Sequence, residues 1–252
     1  DPEGICTGNE SQLHAMPTGG SGSYIYTWTS TPSGFNSDLA NPFVNPSVTT
    51  TYHLSLYDGY STVNGNVTLP VYAHPLPAAG TDQSIPYGTS TTLHGYAGSG
   101  SGSYSYHWEP AGSLVNPNVQ HPTTTLLEVT TMFSLTVTDT ETGCISEDPD
   151  VTIVTVTGGP LAVQPQALPD TICSGETTQL FAMASGGADW QYTYNWSSNP
   201  PGFSNTTSSP FVTPTATTTY TVQLDDGYKQ VVGSVTVIVN PTPAVNLGPD
   251  LT

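Results

Sequence analysis

Asp58-Gly59, Asp225-Asp226-Gly227 and the run Asp139 to Gly143 set carboxylates beside glycines in a chain otherwise poor in charge. Carboxylates and loop carbonyls are the ligands that calcium takes. Asp58, Asp139, Asp225 and Asp226 are therefore the calcium candidates, with Glu147, Asp148 and Asp150 a further acidic cluster. The twelve-residue loop of alternating acids that marks one class of calcium site does not occur. A turn accounts for the same residues without a metal, since aspartate caps it with its side chain and glycine accepts the positive φ.

Other chemistry is thinly represented. His14, His53, His74, His94, His107 and His121 show no H-x-H or H-E-x-x-H spacing and lie near no cysteine pair; they read as isolated strand or turn residues rather than zinc ligands. No G-x-S-x-G and no glycine-rich phosphate loop is present. Arginine is absent and Lys229 is the one lysine, which removes the usual oxyanion and phosphate clamps, and no catalytic residue is assigned. Trp190 is out of phase with its neighbouring strand and unmatched elsewhere, so it is the aromatic best suited to stack on a ligand such as a sugar ring. N-x-S/T triplets at Asn9, Asn66, Asn195 and Asn205, and Asp170-Thr171-Ile172, are short glycosylation-type matches.

The formal charge of −18 excludes nucleic acid and anionic membranes as partners held by counterion release. It suits cations or a basic surface. No apolar run of about 18 residues exists, so no membrane insertion is expected, and the absence of a basic, apolar leader reads as a mature or excised extracellular piece or equally as a cytosolic one. Thr, Ser, Gly, Pro, Asn and Tyr dominate, and the long amphipathic segments that make helices are missing. An all-β chain is the consequence.

What must position these residues is a repeated unit. GSGSYIYTW at 20–28 returns as GSGSYSYHW at 100–108 and, altered, as ADWQYTYNW at 188–196; FVNPSVTTTYHLSLYDGY at 43–60 returns as FVTPTATTTYTVQLDDGY at 211–228. Trp28 and Trp196 are 168 residues apart, and two units of about 84 fit between them. The middle copy centres on Trp108, with Phe133 in the place of Tyr52 and Asp139 in that of Asp58. Units run 1–77, 78–162 and 163–244, and 245–252 reads as the lead-in to another. Apolar period two and turns every eight to twelve residues predict an antiparallel sandwich in each. Trp28, Trp108, Trp196, Tyr52, Phe133 and Tyr220 are its expected core residues. Proline-containing connectors at 74–80 and 240–250 predict units arranged end to end.

The frame I-C-S-G-E…L, G-S-Y-x-Y-x-W and P-x-x-T-T-x-Y-x-V-x-x-x-D-G resembles the PKD-like, immunoglobulin-like repeats of large secreted surface proteins in Bacteroidota. The resemblance implies a non-enzymatic, extracellular or cell-surface segment of an adhesin, gliding protein or filament. Its implied partners are further repeats of the parent chain, identical chains in a fibre, or glycans; a carbohydrate-binding module and an accessory region of a secreted polysaccharide-degrading enzyme are the alternatives. It also implies a disulfide between an early I-C-S-G cysteine and a late T-G-C cysteine. Cys6 and Cys173 hold the early position and Cys144 the late one, while Pro86 replaces the early cysteine of the middle copy. No copy holds both, so no bond within a copy is expected. Free, buried thiols are the expectation, with Cys144–Cys173 the alternative that geometry must decide.

Overall fold

The computed structural model describes residues 4–187, 191–243 and 245. Strands and turns alternate throughout, and the one helical element among the described residues is a 3-10 turn at Ala111–Ser113. Thr, Val and Tyr fill the strands because their branched or flat side chains suit a pleated, half-buried surface. The fold is all-β, of tandem immunoglobulin-like sandwich domains. The chain divides into two compact units: Asp1–Thr81 with Thr92–Thr123 and Met132–Thr152, and Asp82–Thr91 with Thr124–Thr131 and Ile153–Thr252. The first and third sequence copies each fall within one unit, and the second is shared.

In the first unit an antiparallel sheet runs in the order Asn36–Ser37, Ile25–Thr31, Thr50–Tyr57, Thr62–Leu69. Its register sets Trp28 opposite Leu54 and Tyr52 opposite Val67. Since side chains alternate between faces, one face of this sheet carries Trp28 and Tyr52 inward, where Leu13, Val44 and Leu69 close the core. Phe35 meets Tyr52 edge-on at 5.3 Å, a favoured aromatic geometry. Ile5–Cys6 runs parallel to Val71–Tyr72. From the second copy, Tyr104–Glu109 pairs antiparallel with part of Thr131–Asp139, setting Trp108 opposite Leu135. Trp108, Phe133, Leu135 and Val137 are fully buried.

The second unit contains the third copy as two layers. One has the order Thr171–Cys173, Gln230–Asn240, Thr218–Asp225, Thr193–Asn199, Ser204–Asn205; the other has Gly159–Leu168, Thr178–Gly187, Phe211–Val212. Between them lie Trp196, Tyr220, Leu180, Ile172, Val222 and Val237. Thr171–Cys173 runs parallel to the last strand, Ile172 opposite Val239, repeating the arrangement at Ile5–Cys6. Burying a tryptophan of roughly 200 Å² contributes about 5 kcal/mol on an area basis, so each copy is centred on its tryptophan.

Candidate functional site

The repeated glycine-to-tryptophan phrase builds one constellation three times. Its first tyrosine ties down its own loop: the Tyr24 hydroxyl donates to Gly19 O, Tyr104 to Ser99 O, and Tyr192 to Gly186 O. Its second tyrosine packs partly buried against the core in the first and third copies, as Tyr26 and Tyr194. A glycine of the loop then receives the aspartate of the distant hairpin. Gly20, Gly100 and Gly187 all have positive φ, and a Cβ added to any of them would strike Asp58, Asp139 or Asp226 respectively. Tyr24, Tyr104 and Tyr192 thus hold their loops, and Tyr26 and Tyr194 pack against their cores.

Each of these aspartates is an acceptor for backbone N–H groups. Asp58 Oδ1 accepts from Tyr60 and Ser61 at 2.9 and 2.7 Å, and Asp226 Oδ1 from Tyr228 and Lys229 at 3.0 and 2.7 Å. Asp139 accepts from Ser101 N at 2.5 Å, from the Ser101 hydroxyl, and from Glu141 N and Thr142 N. The Ser101 N–H above all holds the Asp139 carboxyl down at about 2, and the Ser61 and Tyr60 N–H groups lower that of Asp58, because hydrogen bonds to the charged form favour it. Asp225 accepts from Gly227 N at 2.6 Å and Gln230 Nε2 at 2.7 Å. These oxygens are committed to donors, and the four acids lie in separate turns except for adjacent Asp225 and Asp226. Among the described residues no three His, Cys, Asp or Glu side chains converge as metal ligands. The four calcium candidates close turns.

Cysteine pairing corrects both sequence expectations. Cys144 bonds to Cys6, with a Cα–Cα distance of 5.7 Å across a sequence separation of 138, and not to Cys173. Cys173 is unbonded and exposed rather than buried. The opening strand of the first copy is thereby joined to the closing hairpin of the second. His74 sits beside this bond and is not the isolated histidine that its spacing suggested. Its Nδ1 lies 2.5 Å from Ile145 O and its Nε2 2.8 Å from Thr7 O, with Glu147 Oε1 at 3.6 Å. Carbonyl oxygens only accept, so both nitrogens must donate and the imidazolium is the matching form. The Ile145 and Thr7 carbonyls, with Glu147, accordingly raise its pKa. Closing a loop of this length stabilises the chain by about 5 kcal/mol in the chain-entropy model.

In the second unit the single lysine makes a weaker clamp. Lys229 Nζ lies over the Tyr87 ring, 5.2 Å from its centroid, and 3.9 Å from Glu128 Oε1. Asp150 of the acidic cluster accepts from Ala79 N at 2.7 Å. His94 and His121 are ring neighbours at 5.6 Å, and His107 Nδ1 lies 2.7 Å from Asn118 Oδ1. Trp190 lies outside the described residues.

No family model and no curated protein matches the chain. Among solved structures it is similar to a three-domain immunoglobulin fragment of titin in an E-to-A mutated variant, at 12% identity and TM-score 0.46, with 95% of each chain covered. It is also similar to three N-terminal domains of the highly immunogenic outer capsid protein of bacteriophage RB49, at 12% identity and TM-score 0.37, covering 95% of this chain and 96% of that one. Extracellular domains 3–5 of Drosophila OTK are similar at 13% identity and TM-score 0.33, with 95% of each covered. No residue role passes to this chain from these likenesses.

Proposed function

We propose that the chain is a non-catalytic structural segment of an extracellular stalk, fibre or adhesin. In this reading 1–77, 78–162 and 163–244 are PKD-like, immunoglobulin-like beads of a large secreted surface protein of the Bacteroidota kind, and further repeats of the parent chain are their partners. The observation that carries it is the Cys6–Cys144 bond, which joins successive copies covalently. A spacer gains from such a tie, whereas an independent binding module has no use for one. A disulfide also suits an oxidising compartment outside the cytosol, and among the described residues no helix is long and apolar enough to cross a membrane. The acids that catalysis or calcium would need are engaged in turns, which supports a role in shape.

The test is a spacer exchange in the native parent protein, replacing residues 4–243 by an unrelated tandem immunoglobulin-like segment of equal length. Retained surface attachment is the expected result. Loss of attachment overturns the reading and favours a binding module, with glycans as the first ligands to screen.

A further inference from the structure

Cys173 occupies the position that Cys6 occupies in the first copy. Each ends a short strand parallel to the last strand of its copy, Cys6 opposite Tyr72 and Cys173 opposite Asn240. The next residue in each case donates its N–H to that partner's carbonyl, Thr7 to Tyr72 at 2.9 Å and Ser174 to Asn240 at 3.1 Å. Gly8 and Gly175 come next, with φ of 84° and 85°. The cysteine carbonyl then accepts from Asn9 or from Glu176, at 3.0 Å in both. One backbone device thus presents both thiols, and in the first copy that device is bonded to the T-G-C cysteine of the neighbouring copy.

A second observation, independent of the cysteine, concerns the connector after each copy. Gly80 and Asp82 lead into the second copy, and they return as Gly248 and Asp250 at the same spacing of 168 that separates Trp28 from Trp196. Pro75-Leu76-Pro77-Ala78 returns as Pro241-Thr242-Pro243-Ala244, at a spacing of 166. The period is therefore two copies, the third spelled like the first and the segment after it like the start of the second. The second copy is the one that carries the T-G-C cysteine, and it has Pro86 where an early cysteine would stand.

We propose that Cys173 forms a disulfide with the Thr-Gly-Cys cysteine of the next copy in the parent chain, so that bonds of the Cys6–Cys144 type recur once every two copies. Two thiols become one S–S bond, and their two protons and two electrons pass to a disulfide oxidant, which is reduced to a dithiol by exchange. This rests on the reading of the chain as part of a repeat array, and the experiment separates the two.

The native parent protein is recovered in iodoacetamide without reductant, cleaved after glutamate, and its peptides are mapped by mass before and after reduction. The expected result is a Cys173 peptide linked to a Thr-Gly-Cys peptide from beyond residue 252, alongside linked Cys6 and Cys144. Alkylated Cys173 beside an intact Cys6–Cys144 bond and further repeats overturns this inference alone. Cys173 linked to Cys6, to Cys144 or to its own copy in another chain also overturns it. A parent with no repeat beyond residue 252 overturns the array as well.

Discussion

Asp139 fills the space that Gly100 leaves by having no side chain, and in doing so locks the loop before Trp108 to the hairpin that ends at Cys144. Gly100 has φ of +78° with the carboxylate against it, whereas nearby Gly102 has φ of +100° and open space around it. Gly102→Ala should cost only the left-handed backbone strain, about 1–2 kcal/mol. Gly100→Ala should cost that and the displaced aspartate as well. Urea unfolding of both variants checks the order; equal midpoints would refute the lock.

The same aspartate makes a pH prediction. Its folded pKa of about 2 lies below its ordinary value, so its contribution is present above about 4 and is lost as pH falls through about 2. Asp139→Ala should lower stability at neutral pH and flatten the loss between pH about 4 and 2. Thermal melts across that window measure it, and an unchanged acid limb would show that Asp139 is not its source.

His74 works in the opposite sense. Its pKa is raised by the Ile145 and Thr7 carbonyls, so its contribution is complete below the unfolded value of about 6.5 and is lost as pH rises through the folded value. Stability should decline in the native chain as pH rises above about 6.5 and stay flatter in His74→Ala. Proton NMR of the imidazole gives the pKa directly, and an ordinary or lowered value would contradict the paired-carbonyl geometry.

The three core tryptophans should respond differently to the same change. Trp28 Nε1 donates to Leu39 O and Trp196 Nε1 to Thr207 O, both at 3.0 Å, while the buried Trp108 Nε1 meets no acceptor among the described residues. Trp→Phe should therefore cost about 1 kcal/mol less at Trp108 than at Trp28 or Trp196. Denaturant midpoints compare them, and equal losses would mean the N–H is satisfied in solution.

Local signals carried much of this architecture. Alternation at Tyr24, Tyr26 and Trp28 marks a strand with one buried face, and aspartate beside glycine marks a hairpin, because both are consequences of neighbouring residues. The Cys6–Cys144 bond was not legible in the same way. One cysteine per copy excludes a bond inside a copy, but the choice between Cys6 and Cys173 depends on which copy's opening strand lies against the hairpin at Cys144. The role of His74 is illegible for the same reason: its partners Thr7 and Ile145 lie 67 and 71 residues away, and backbone carbonyls leave no signature in a sequence. The link between Gly100 and Asp139 required knowing which loop a hairpin meets.

The bond between Cys6 and Cys144 also decides how the chain carries force. A pull along the backbone reaches Cys6 and crosses through the sulfurs to Cys144, so the segment between them, a separation of 138 residues, is left slack while the bond is intact. At about 3.5 Å per residue, that withholds roughly 480 Å of extension. Reduction releases it. A chain closed this way keeps that length in reserve in an oxidising medium and yields it under tension only where a reductant reaches the sulfurs.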